Sequence, residues 1–300
     1  MSRPIEASWL AVRREADSAA RADSAGLVEM LVRSLPVADA VAPEVLAVVD
    51  VGAGTGANQA WLGPALAAAG YQGVQDWHLV DHDAALLEAG AETTRTKAEH
   101  GDLLRTTRHQ AGVESAAALL ERQPRPRLLT CSALLDLLTT KEVDTLVRAT
   151  LRSADAALWA LSVTGEVALP PPHPADSLVS DLFNADQQRS VGPGRHLLGP
   201  RACAYADRAL RAGGWRVHRA DTRWRLGPAE EPLARRWVAE RAEAAGGAST
   251  DPRSRARVRS WAEARRDHLD AGVLRVVVGH TDLLALPDRV ISVHTSSPSW

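Results

Sequence analysis

From residue 45 the chain runs Val-Leu-Ala-Val-Val without a polar break, meets one carboxylate at Asp50, and passes into Val-Gly-Ala-Gly-Thr-Gly. A short, bounded, β-branched run of this kind predicts a strand buried on both faces, as in a parallel sheet. Similar short apolar or alternating runs at 78–81, 103–109, 128–131, 156–163, 215–222 and 273–279 predict further strands. The segments between them carry apolar residues at three- and four-residue spacing. They predict helices over 8–22, 27–35, 58–69, 84–98, 113–122, 136–153, 200–212, 229–245 and 253–270, with Ser8 as an N-cap and Pro64 kinking its helix or lying near its first turn. Strands alternating with helices predict an α/β fold: a mostly parallel, doubly wound, seven-stranded sheet with helices on both faces.

The same pattern divides the chain. Residues 1–40 form an N-terminal helical cap ahead of the first strand, and 41–286 hold the sheet. Within that unit, 166–200 is long, irregular and proline-rich, and is read as a lid over the crevice. A pair of arginine-rich helices over 228–271 is an insertion before the last strand, and 287–300 has the composition of a mobile tail.

Chemistry enters at the turn after the first strand. Its spacing is Asp50-x-Gly52-x-Gly54-x-Gly56, whereas a dinucleotide-binding turn reads G-x-G-x-x-G. Glycines here let the main chain take positive φ and expose N–H groups to a ligand at the start of a helix. A carboxylate just before the turn repels a pyrophosphate and attracts an ammonium or a hydroxyl, so the ligand is read as amino-acid-like and phosphate-free. Asn58 points an amide into the first turn of the helix that follows. The second strand ends His-Leu-Val-Asp-His-Asp, placing Asp81 where an acid accepts both hydroxyls of a ribose.

These pieces, together with Leu-Leu-Thr-Cys-Ser-Ala-Leu-Leu-Asp-Leu at 128–137, resemble the class I, Rossmann-like S-adenosylmethionine-dependent methyltransferases. The resemblance covers residues 45–165 firmly and the remainder loosely. It implies S-adenosyl-L-methionine as cofactor, with Asp50, Gly52, Ala53, Gly54, Thr55, Gly56 and Asn58 about its methionine part. Asp81, with His82 beside it, would hold the ribose, and Ser132 would lie near the methyl group. Gln110 stands where an acid often meets the adenine amino group, a departure from the family pattern.

Composition narrows the partners. Acidic and basic residues number 37 and 35, and the formal net charge is -2, so no global field favours nucleic acid or an anionic membrane. No apolar run approaches bilayer length and no signal-type core opens the chain, which reads as a cytoplasmic protein. Cys131 and Cys203 lack metal-ligand spacing, and no metal site or disulfide is expected. A small-molecule substrate fits best, with a monomer or homodimer as the assembly.

Methyl transfer from a sulfonium depends mainly on positioning and on excluding water. A hydroxyl nucleophile also needs a base, for which His173 leads and Asp136 follows. Arg13, Asn184, Gln187 and Arg201 are the expected substrate contacts. The expected function is methyl transfer to a small molecule. The rivals are a catalytically silent S-adenosylmethionine-binding partner and a nicotinamide-dependent oxidoreductase.

Overall fold

A computed structural model of the chain describes residues 6–35, 45–95 and 103–288, with the main chain only at 92–95. The expected tail beyond 288, the end of the cap at 36–40 and the end of the helix at 96–98 lie outside the described residues. In chain order the elements are α1 (Ala7–Arg21), α2 (Ala25–Ser34), β1 (Val45–Val51), α3 (Ala57–Ala68), β2 (Val74–Asp81) and α4 (Ala84–Arg95). Then come β3 (Leu104–Gln110), α5 (Ala116–Glu121), β4 (Arg127–Ser132), α6 (Thr140–Ser153), β5 (Ala156–Ala168) and α7 (Asp176–Gln187). The last elements are α8 (Ala202–Ala212), β6 (Trp215–Leu226), α9 (Glu231–Ala248), α10 (Pro252–Asp270) and β7 (Val276–Pro287).

The strands form one sheet in the order β3-β2-β1-β4-β5-β7-β6. β1 pairs in parallel with β2 and β4, β3 with β2, and β5 with β4, while β7 runs antiparallel between β5 and β6. The expected architecture is the observed one. The chain winds outward from β1 to β3 and then restarts beside β1 at β4, so a crevice opens outside the carboxyl ends of β1 and β4.

Alternation along the strands builds two cores. Val49, Val51, Leu129, Cys131, Ala157 and Trp159 face α5, α6 and α8. Leu46, Val48, Leu128, Leu158 and Leu284 face α2 and α3. Both cysteines are buried and free. A third core joins α1, α7, α9 and α10 to the far ends of β5, β6 and β7, with Trp224, Trp237 and Trp261 in it.

Several boundaries differ from those expected. Ser8 lies inside α1, whose N-cap residue is Glu6 without a side-chain cap bond, and Pro64 falls well inside α3. The 166–200 stretch is less irregular than its prolines imply: β5 continues to Ala168, and Asp176–Gln187 is helix. β5 continues by bending. Leu161 takes φ 52° at a register shift against β7, and its freed N–H donates to Asp282 Oδ1 at 2.7 Å. β7 runs eight residues further than the expected Gly279, through His280, Thr281 and Asp282, all buried. Thr222 Oγ1 donates to Asp282 at 3.1 Å, which lets these polar residues occupy a central strand.

Candidate active site

Four parallel strands end together. Val51 follows Asp50 at the end of β1, and Asp81, Gln110 and Ser132 are the final residues of β2, β3 and β4. Gly52, Gly54 and Gly56 take φ of 67°, 53° and 79°, so each glycine of the spacing is used for the left-handed conformation that other residues resist. The N–H of Gly54 donates to Asp81 Oδ2 at 2.8 Å, and that of Asp83 donates to Oδ1 at 2.9 Å. Each carboxylate oxygen keeps a second lone pair for another donor. His82 contributes Nδ1 at 3.2 Å from Asp81 Oδ1 while most of its ring is in solvent. Gln110 is exposed, with Nε2 3.5 Å from the His82 carbonyl.

Asp50 lies beneath the loop rather than on its surface. Its side chain is fully buried, and Asn58 Nδ2 bridges Asp50 Oδ1 at 2.7 Å and Thr130 Oγ1 at 3.1 Å, clamping β1, α3 and β4 together. Burial pushes the Asp50 carboxyl up to about 7, against the Asn58 bond and the nearby Arg21, with Asp81 adding a small upward push. Asp50 Oδ2, Thr55 Oγ1 and Asn58 Oδ1 are buried without a hydrogen-bond partner.

The loop is closely packed from three sides. A Cβ on Gly52 would sit 2.7 Å from Leu134 Cδ1, and one on Gly54 would sit 3.2 Å from Leu10 Cδ1. On the side of α4, a Cβ on Gly90 would meet Thr55 O at 2.6 Å. Gly90 therefore sets how closely α4 supports the turn. Its single-residue signal is hidden in an alanine-rich helix.

Beside this crevice lies a cavity of about 160 Å³, walled by α1, the β4–α6 connection, the bent end of β5, α7, β6, α9 and β7. Asp136, Arg13, Asn184 and Gln187 all line it, four of the residues expected at the acceptor. Arg13 is held by both oxygens of Asp17, at 2.8 and 3.1 Å, and its guanidinium lies 5.1 Å from the Trp224 ring. Trp224 Nε1 donates to the same Asp17 at 2.9 Å. Desolvation raises the Asp136 carboxyl to about 6, and Arg13 opposes that rise.

Two expected residues are elsewhere. His173 does not line the cavity: its Nδ1 accepts from the Ala175 N–H at 3.1 Å at the start of α7. The neighbouring Asp176 takes Trp261 Nε1 at 2.7 Å and pairs with Arg265, so this corner joins α7 to α10. Arg201 is exposed at the turn into α8 and also stays outside the cavity. Proline-rich surroundings made both look like loop chemistry.

Trp224, Arg241 and His280, none of them expected at the site, line the cavity from within regular elements. His280 is buried, 5.4 Å from the Trp224 ring, and desolvation lowers it to about 3, with Arg13 also disfavouring its charge. It stays neutral near pH 7 and shapes the wall without serving as a cation.

No family model matches the chain. No curated protein sequence matches it either. Among solved structures it is similar to a cyclopropane-fatty-acyl-phospholipid synthase-like protein from Lactobacillus casei, 12% identical, covering 94% of each chain with a TM-score of 0.55. It is also similar to the YcgJ protein from Bacillus subtilis, at 14% identity, 88% and 99% coverage and a TM-score of 0.46. A third is the cyclopropane synthase MmaA2 from Mycobacterium tuberculosis, at 13% identity, 86% and 82% coverage and a TM-score of 0.41. The chain has the Rossmann-like fold of the class I S-adenosylmethionine-dependent methyltransferases. Among the described residues, no helix is long and apolar enough to cross a membrane, and no group of three or more His, Cys, Asp or Glu side chains is placed to hold a metal ion.

Proposed function

We propose that this protein is an S-adenosylmethionine-dependent methyltransferase acting on a small molecule held in the cavity beside the glycine turn. The observation that carries the reading is the coupling of three left-handed glycines to the buried strand-end Asp81. The residues fit the cofactor. Spare lone pairs on Asp81 suit a ribose, and Asp50, Thr55 and Asn58 carry unpartnered polar atoms within and beneath the glycine turn. Gly52, Ala53, Gly54, Thr55 and Gly56 would hold the methionine part, Asp81 and His82 the ribose, Gln110 the adenine edge and Ser132 the rim near the methyl group.

Bound there, S-adenosylmethionine supplies an electrophilic methyl group, which an acceptor lone pair takes in line while the sulfur keeps the bonding electrons. The chain's own work is to position and dry the two partners. Leu10 and Leu134 cover the turn, and Trp9, Phe183, Trp224 and Trp237 surround the cavity with apolar surface. Asp136 is the base for an acceptor that must lose a proton. Raised to about 6, it is mostly ionised at neutral pH yet far more basic than an exposed carboxylate.

Calorimetric titration with S-adenosylmethionine, S-adenosylhomocysteine and NAD tests the reading. Saturable binding of both sulfur ligands, absent for NAD and weakened in Asp81→Ala, is the expected result. Binding of NAD alone would make the protein an oxidoreductase candidate and sink the proposal. Turnover with an acceptor separates an enzyme from a silent binder.

A further inference from the structure

Arg241 of α9 is 3% exposed and lines the cavity. Its guanidinium carbon Cζ lies 4.2 Å from the centroid of the Phe183 ring and 4.8 Å from that of Trp237. A guanidinium laid over aromatic rings still directs its N–H bonds outward in its own plane, where a partner can meet them. What it meets within the chain is slight: Nη2 reaches Ser180 Oγ at 3.4 Å, and Nε is buried with no partner.

Buried Arg21 also lies over a ring, that of Trp61, with Nε and Nη2 unpartnered, but the charges of Asp282, Asp50 and Asp17 act on it, and the remaining buried or cavity-lining arginines are paired directly. Arg13 has both oxygens of Asp17, and Arg265 has Asp176. Glu240, the acid beside Arg241 on the cavity wall, is taken by Arg236 Nε at 2.8 Å. Asp136 lies toward Arg13, and no carboxylate among the described residues forms an ion pair with Arg241. A desolvated cation without a counter-charge is costly to keep, and burial alone pulls this guanidinium down to about 10. An anion entering the cavity would recover that cost.

We infer that Arg241 is the recognition point for a carboxylate on the methyl acceptor. The inference rests on the reading of this cavity as the acceptor site. It narrows the acceptor to a small carboxylic acid whose body fills a space of about 160 Å³, close to the size known to accommodate a benzene ring. The carboxylate meets the α9 end, at Arg241. The body packs against Phe183, Trp224 and Trp237, and the reacting atom faces the wall formed by Arg13 and Asp136.

The test uses the full chain, with sodium benzoate, benzamide and S-adenosylhomocysteine as separate probes. Tryptophan emission reports the cavity, since Trp9, Trp224 and Trp237 line it, and calorimetry reports S-adenosylhomocysteine. Benzoate is expected to bind saturably and about tenfold or more tighter than benzamide, as a charge-assisted bond outweighs a neutral one. Arg241→Met is expected to lower benzoate affinity to that of benzamide and to leave S-adenosylhomocysteine within about twofold. Equal affinity for benzoate and benzamide in the parent protein overturns the anion site, and that comparison stands even if the variant fails to fold. Loss of S-adenosylhomocysteine binding alongside benzoate in Arg241→Met reassigns the arginine to the cofactor's own carboxylate and overturns the acceptor role. Failure of the parent to bind S-adenosylhomocysteine overturns the methyltransferase reading, and the acceptor role with it, even when benzoate is preferred.

Discussion

The main-chain N–H of Gly54 donates to Oδ2 of Asp81 at 2.8 Å, tying the turn after β1 to the end of β2. One carboxylate thus sets the shape of the glycine turn and faces the crevice. Under the proposed function, removing it acts on both the turn and the cofactor.

For Asp81→Ala, the Gly54 and Asp83 N–H groups lose their acceptor, with an expected stability loss of about 1–3 kcal/mol. Affinity for S-adenosylhomocysteine is expected to fall by a further ~2–4 kcal/mol as the ribose bonds go. Urea unfolding and calorimetry on the same preparations separate the two. Unchanged affinity in a folded variant would place the ribose elsewhere.

Gly90→Ala probes the support behind the turn. Its new Cβ would lie 2.6 Å from Thr55 O, a main-chain atom that cannot swing aside. A loss of about 1–3 kcal/mol is expected, with weaker cofactor binding. Gly26→Ala in α2 is the control, since no heavy atom lies within 4 Å of the added carbon. That variant should match or exceed the parent in urea.

Asp50 gives stability a pH dependence. Its folded carboxyl titrates near 7 and its ordinary value is 3.8, so the folded state holds a proton that the unfolded chain has released between those values. The contribution is fully present below 3.8 and is lost as pH rises through about 7. Asp136, raised to about 6, acts in the same sense. Asp50→Asn keeps an oxygen for the Asn58 amide and carries no charge to bury. Its melting temperature should exceed the parent's at pH 8, with the gap closing toward pH 4. Parallel melting curves across that range would show that Asp50 does not titrate there.

Asp136 also has a kinetic signature. As a base it must be ionised, so kcat/KM for an acceptor that loses a proton rises with pH through about 6. Asp136→Asn should lower kcat by about 10²–10⁴-fold and remove that rising limb. A pH profile unchanged by the substitution would leave Asp136 as a wall residue only.

How much of this was legible in the sequence depends on whether the signal was local. Residues 50–58 and 78–83 carry strand, acid, glycines and helix start within a few positions, so the crevice at the strand ends could be read directly. Arg13, Asp136, Asn184 and Gln187 were expected at the acceptor, and all reach one cavity from separate elements. Arg241 gives no local signal because it sits within a regular element, and His280, just past the expected strand end at Gly279, is buried inside a longer strand. One stacking partner of the Arg241 guanidinium, Trp237, lies a turn earlier on α9, but the other, Phe183, is 58 positions earlier and joins it only in the fold. His173 misled for the opposite reason. A histidine among prolines looks free to act, but the turn into α7 uses its ring as a hydrogen-bond acceptor.

The order of the strands bears on how the chain is assembled. β6 has β7 as its sheet partner, and β7 also closes the exposed edge of β5. On a growing or truncated chain that stops before Val276, β5 and β6 present open edges, and the wall of the cavity near His280 does not exist. The half of the sheet from β3 to β4 can pair earlier, because its strands need no later residue. The cavity wall at His280 is therefore complete only when the final strand slots between two strands that precede it in the chain. Until then those edges are the surfaces most exposed to wrong pairing between chains.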